Sequence, residues 1–77
     1  MIEKGEEIAL DDDRKFVVLD NIVEDQNNYL YLLGLFKPAT VKFAVQKGLE
    51  DSDDIEIEII NNPEQKKLLL DKFQNHN

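Results

Sequence analysis

The chain has no cysteine and no tryptophan, a single serine, a single histidine, two prolines and three glycines in 77 residues. Without cysteine there is no disulfide scaffold, no thiolate-bound zinc and no thiol nucleophile. The one imidazole, His76, stands one residue from the C-terminal end, which leaves transition-metal chemistry and Ser-His catalysis without a ligand set or a base. No apolar run approaches the roughly 20 residues that cross a bilayer. The opening Met1-Ile2-Glu3-Lys4-Gly5-Glu6-Glu7 lacks the basic start and apolar stretch of a signal peptide, so the expected location is cytoplasmic. Positive charge is also scarce: nine Lys and Arg stand against seventeen Asp and Glu, a net charge of −8. That balance opposes a direct grip on nucleic-acid phosphates or an anionic membrane.

What is present fits one small folded domain, 1–77. The length holds a single core, and 42% apolar residues exceeds what acidic disordered tails carry. Charge falls in blocks. Residues 1–25 hold nine acids and three bases, 26–49 no acid and three bases, 50–63 six acids and no base, and 64–77 two acids and three lysines. There is no repeat or low-complexity linker to mark a boundary.

Apolar spacing over the first sixty residues is that of strands. Ile8 and Leu10 precede Asp11-Asp12-Asp13-Arg14, side chains that bond their own backbone in tight turns, which predicts a first hairpin. Phe16 to Val23 and Tyr29 to Phe36 are β-rich runs separated by the turn cluster Asp25-Gln26-Asn27-Asn28, a second hairpin. After Lys37-Pro38-Ala39, Val41, Phe43 and Val45 fall on one face with Lys42 and Gln46 on the other, the pattern of a half-buried strand. Ile55, Ile57 and Ile59 alternate with Asp54, Glu56 and Glu58, which predicts a strand with one wet acidic face. The period then changes. Asn62 as cap, Pro63 at the first helical position and Gln65 three residues past the cap start a helix running to about Gln74. Its stripe of Leu69, Leu70 and Phe73 needs a sheet to cover. The expected class is α+β: an antiparallel sheet of about five strands, built as a meander of hairpins and packed by one C-terminal amphipathic helix.

In order and content the run EEIALDDDRKFVVLDNIVEDQNNYLYLL, the strand VKFAVQK, an acidic linker, IEIEII and the final NPEQKKLLLDKF resemble the YrzB-like family of small acidic cytoplasmic proteins of Firmicutes. The resemblance covers nearly the whole chain and implies the same strand order and terminal helix. It implies no catalytic residue, since that family has no assigned activity. The chain departs from the family where Gly34 to Ala39 stands in a position usually filled by acids, and where Arg14 replaces a turn glycine.

Several constellations invite chemistry. Asp11-Asp12-Asp13 suggests the opening of a calcium loop, but position six would be Phe16 rather than Gly and position twelve Ile22 rather than Glu, so it reads as a turn. Glu50-Asp51-Ser52-Asp53-Asp54 likewise lacks the glycine and the closing Glu. Asp20 and Glu24, acids in an otherwise apolar strand, are the one candidate pair for general acid-base work, yet acids on a strand usually mark its solvent face. Tyr29, Tyr31, Phe36 and Phe43, interleaved with Lys37, Lys42 and Lys47, suit base stacking but suit the core of so small a domain better. Leu30, Leu32, Leu33, Leu35 and Phe36 exceed what a sheet covered on one face needs, and an open apolar patch there would serve a homodimer or a partner.

The sharpest functional signal is the acid-rich segment. Glu50, Asp51, Asp53 and Asp54 lie in or beside a loop, while Glu56 and Glu58 project from one face of the following strand. Carboxylates in such a row imitate the phosphate charge of a duplex. The sequence therefore predicts a non-catalytic binding or regulatory domain, without cofactor or metal, that engages a basic protein, nucleic-acid-binding proteins included, through Glu50, Asp51, Asp53, Asp54, Glu56 and Glu58, as a DNA-mimic inhibitor encoded by a phage would. The alternative is an acidic domain that weakly binds divalent cations and has no dedicated protein partner; a third account treats the charge as solubilising alone.

Overall fold

The computed structural model describes residues 2–10, 13–47 and 56–75. Five strands, β1 (Glu7–Ala9), β2 (Lys15–Glu24), β3 (Asn27–Gly34), β4 (Val41–Lys47) and β5 (Glu56–Ile59), precede one helix, α1 (Pro63–Gln74). The strands form one antiparallel sheet in sequence order, β1-β2-β3-β4-β5, the meander plus terminal helix that the sequence predicts. Asp25 and Gln26 join β2 to β3 at φ 52° and 66°; two central residues at positive φ are what the tight hairpin turn matching strand twist demands. Pro38 follows a cis peptide bond in the β3–β4 connection. Asn62 caps α1, its side-chain oxygen accepting from the Glu64 and Gln65 amides at 2.9 and 3.1 Å, with Pro63 in the first turn.

Both sheet faces are apolar. On the inner face Phe16, Val18, Leu30, Leu32 and Ala44 are buried to 1% exposure or less, with Ile2, Ile8, Leu10, Phe36, Ile57 and Ile59 packed against them. No helix contributes to this cluster, so burial comes from the sheet curling over its own residues until the edge strands β1 and β5 bring Ile8, Ile57 and Ile59 onto one core. A bulge in β2 assists. The register passes from Val18↔Leu32 to Asp20↔Tyr31, leaving Leu19 as an extra residue, and such an insertion bends and twists a strand. The outer face carries the second core: Phe43, Val45 and Ile60 meet Leu69 and Phe73 of α1, with Ile22, Tyr29 and Tyr31 beside them. There Tyr31, Phe43 and Phe73 stack with centroids 5.1 to 6.1 Å apart.

Several expectations are corrected. The strand 41–47 is buried on both faces rather than half wet: Ala44 and Gln46 turn inward at 0% and 1% exposure, and Lys42 lies half-buried with its ammonium 5.8 Å from the Phe16 ring centroid. Leu70 is 38% exposed because it stands about 100° around the helix from Leu69. The leucine-rich run is divided by strand alternation: Leu30 and Leu32 are core, Leu33 is half-buried on the outer face, and Leu35 is exposed.

A carboxamide network closes one end of the curled sheet. Val23↔Asn28, Asn28↔Gln46 and Gln46↔Ile57 form one inner row, and its two amides are 0% and 1% exposed. Gln46 Oε1 accepts from the Ile2 amide and from Asn28 Nδ2, each at 3.0 Å. Asn28 Nδ2 also donates to the Ile2 carbonyl at 2.7 Å. Asn21 donates to Asn28 at 3.2 Å and accepts from the Lys4 amide at 3.1 Å. The N-terminal segment is thus strapped across that end of the curled sheet by its main chain. No buried side-chain polar atom among the described residues lacks a partner, the condition on which such a network stabilises.

Candidate functional site

The meander places two acidic stretches at one end. Glu24 ends β2 and Asp25 opens the β2–β3 turn, and the register Asn28↔Gln46 followed by Lys47↔Glu56 brings the start of β5 to that same end. Glu58 occupies the outer row Ile22–Tyr29–Val45–Glu58, two residues on from Glu56. Glu24, Asp25, Glu56 and Glu58 are all exposed. Of the six acids singled out in the sequence, Glu56 and Glu58 project from one face of β5 as expected, while Glu50, Asp51, Asp53 and Asp54 lie outside the described residues, within the connection that leaves from Lys47 and returns at Glu56.

Two of these carboxylates already have partners. Lys47 Nζ lies 2.7 Å from Glu58 Oε2, and Lys72 Nζ lies 2.7 Å from both oxygens of Glu24. Hydrogen bonding to Glu58, then its charge, holds the Lys47 ammonium above its usual range; hydrogen bonding to Glu24 does the same for Lys72. Side chains in both pairs are 44 to 58% exposed, so solvent screens them and each adds little to stability. Neither pair removes the excess of negative charge, because Asp25 and Glu56 remain beside them. Sequence reasoning did not connect Glu24 and Asp25 with Glu56; the signal that does so is register, which only the pairing of β3 with β4 and of β4 with β5 supplies.

The other candidates are placed differently. Asp20 Oδ1 accepts from the next residue's amide, Asn21 N, at 2.8 Å, and Glu24 is engaged by Lys72, so the pair considered for acid-base work serves backbone and helix contacts. Tyr29, Tyr31 and Phe43 lie in the outer core beside α1. Phe36 stands edge-on to Phe16 with centroids 5.4 Å apart, the Arg14 guanidinium 4.8 Å from its own centroid. No aromatic platform therefore faces solvent among these four. An open cleft of about 370 Å³ runs along the exposed side of α1 between Lys67, Leu68, Leu70, Asp71 and Gln74. Among the described residues no three His, Cys, Asp or Glu are grouped to hold a metal ion, and no helix is long and apolar enough to cross a membrane.

Comparison with family models, curated proteins and solved structures finds no match to the chain.

Proposed function

We propose that this chain is a small non-catalytic cytoplasmic domain of the YrzB-like kind whose acidic end binds a basic protein, competing for a surface that otherwise meets nucleic-acid phosphates. One observation carries the reading: Lys47 and Glu56, between which the sequence places Glu50, Asp51, Asp53 and Asp54, are register partners at the end already occupied by Glu24 and Asp25. Glu24, Asp25 and Glu56 are thereby held at one end of one sheet. A rigid array gives more directional attraction than a flexible acidic tail, since its charges need no ordering on binding. Lys47 and Lys72 orient two of the carboxylates without cancelling the field.

The experiment is capture from a host lysate on immobilised protein across a salt series. Binding through the acidic end weakens steeply as the Debye length falls to about 8 Å. Neutralising Asp25, Glu50, Asp51, Asp53, Asp54 and Glu56 to Asn or Gln should abolish capture with the melting transition preserved, because Asp25 and Glu56 are exposed and neither forms an ion pair among the described residues. Equal capture by wild type and neutralised chain would refute the proposal, as would a calcium-dependent melting shift with no protein captured.

A further inference from the structure

The carboxamide network holds its occupant by main chain and by one side chain. Asn21 Oδ1, Asn28 Nδ2 and Gln46 Oε1, on β2, β3 and β4, present an acceptor, a donor and an acceptor in turn. They receive the Lys4 amide, the Ile2 carbonyl and the Ile2 amide at 3.1, 2.7 and 3.0 Å. The three amides fix one another, since Asn28 also bonds Gln46 at 3.0 Å and Asn21 at 3.2 Å. The Ile2 side chain packs against the inner core, whereas Glu3 and Lys4 are exposed. A site that addresses main-chain groups and one aliphatic side chain fits any extended segment bearing such a residue.

The resident segment is a poor electrostatic match to its place. The network lies at the end of the sheet that holds Glu24, Asp25 and Glu56, and residues 2–7 bring three more acids, Glu3, Glu6 and Glu7, against Lys4 alone. Like charges gathered at one end repel. A segment with the same aliphatic anchor and basic neighbours would be attracted instead.

The segment is also lightly tethered. The Gly5 amide donates to Val18 O and the Val18 amide to Glu6 O, each at 2.8 Å, so β1 is fastened to β2 without residues 2–4. Gly5 stands at φ 95° with nothing within 4 Å of a Cβ at its position, a pivot of wide backbone freedom in open space. Release about it forfeits the three bonds to carboxamides and the Glu3–Glu6 turn, in which Glu6 N donates to Glu3 O and Glu3 N to the Glu6 carboxylate. An incoming segment restores the three carboxamide bonds.

We propose that Asn21, Asn28 and Gln46 form a peptide-binding site, closed by the chain's own residues 2–4 and opened by an extended segment of the basic partner that carries one Ile, Leu or Val flanked by Lys or Arg. The charge of that partner rests on the acidic-end reading; the carboxamides add a short-range contact that salt screens little. The N-terminal segment is then an internal competitor, and the observed affinity is the intrinsic one scaled by the fraction of chains with the strap released.

The test is NMR on the full chain at low salt, titrated with three capped peptides, Lys-Ile-Lys-Lys, Lys-Gly-Lys-Lys and Ser-Ile-Ser-Ser. The expected result is that the first alone releases the strap: the Ile2 amide loses exchange protection, and the side-chain amides of Asn28 and Gln46 shift together with the amides of Glu24, Asp25 and Glu56. The variant Ile2→Ser, which removes the resident anchor without altering charge, should bind that peptide more tightly by about tenfold or more. Should that chain fail to fold, Ile2→Ala, a milder change at a half-buried position, should tighten binding in the same direction. Strap release by Ser-Ile-Ser-Ser at the same concentration, or by no peptide, would overturn the proposal, as would a folded variant that binds no more tightly than wild type. So would Lys-Gly-Lys-Lys binding as well as Lys-Ile-Lys-Lys with the Ile2 amide still protected. That last result leaves the acidic-end reading standing, which fails instead when neutralised carboxylates leave lysate capture unchanged.

Discussion

Replacing Gln46 by Leu tests the strap directly, because the side chain keeps its approximate size and loses its acceptor. In the native structure Gln46 Oε1 takes two donors, the Ile2 amide and one hydrogen of Asn28 Nδ2. Asn28 is 0% exposed, so the hydrogen left behind has no water to turn to, a loss of about 1 to 3 kcal/mol. The Ile2 amide lies at a half-exposed residue and can rehydrate, adding about 0.5 kcal/mol or somewhat more. The extra buried methyl surface of Leu returns up to about 1 kcal/mol. The net cost is about 1 to 3 kcal/mol, against a total of about 4 to 12 kcal/mol for a chain of this length. At about 4 to 8 °C per kcal/mol for a domain this size, the melting midpoint should fall by several degrees or more. Urea unfolding followed by far-ultraviolet circular dichroism measures the cost, and hydrogen exchange locates it: the Ile2 amide should lose protection while the β3–β4 amides keep theirs. Adding Asn28→Leu should cost less than the two single changes summed, since removing both partners leaves fewer orphaned groups. A Gln46→Leu chain as stable as wild type, with its Ile2 amide still protected, would show that the network does not hold the segment.

Phe73→Ala should cost about 3 to 5 kcal/mol, because the ring is 6% exposed and stacks on both Tyr31 and Phe43; urea titration with helix content as readout checks this, and a loss under 1 kcal/mol would contradict it. The helix should also loosen in alkali. Lys72 is held above its ordinary pKa of 10.5 by Glu24, so the contribution of the pair is complete below that value and disappears as pH rises through the raised one; melting at about pH 9 and 11 should differ more for wild type than for Glu24→Gln, and only slightly, since the pair is exposed. Gly34→Ala would place a methyl 2.7 and 2.8 Å from Phe36 Cε1 and Cζ, so the ring must move off Phe16 and from under Arg14, at about 1 to 3 kcal/mol; an unshifted Phe36 ring signal by NMR would refute it.

Much of this architecture is legible in the residues. The Ile57–Ile59 alternation, the Asn62-Pro63 start and the turn at Asp25 each state a local preference that the tertiary structure keeps. Strand 41–47 is where local reading fails. Lys42 and Gln46 alternate with Val41, Phe43 and Val45 as a wet face would, but Gln46 is buried by partners 18 and 44 residues away, and nothing local announces them. The bulge at Leu19 hides the facing of β2 in the same way: one extra residue exchanges odd for even, so Phe16 and Val18 face the inner core while Ile22 faces the helix. For the acidic end, composition shows that the carboxylates are numerous. Only register shows that Glu24 and Glu56 share an end, and only the tertiary structure shows Lys72 on Glu24 and Lys47 on Glu58.

The strap grips atoms that every amino acid except proline possesses. Asn21, Asn28 and Gln46 address the amide and carbonyl of residue 2 and the amide of residue 4, not the side chains of Glu3 or Lys4, which are exposed. Substitution at positions 3 and 4 is therefore expected to be nearly free, while three carboxamides scattered across 26 positions of the chain must change together or not at all. The imprint of this device in a lineage would be discontinuous: a drifting leader and three isolated amides on three different strands. Distant kin of this chain are best sought by those spaced positions rather than by any contiguous word of sequence.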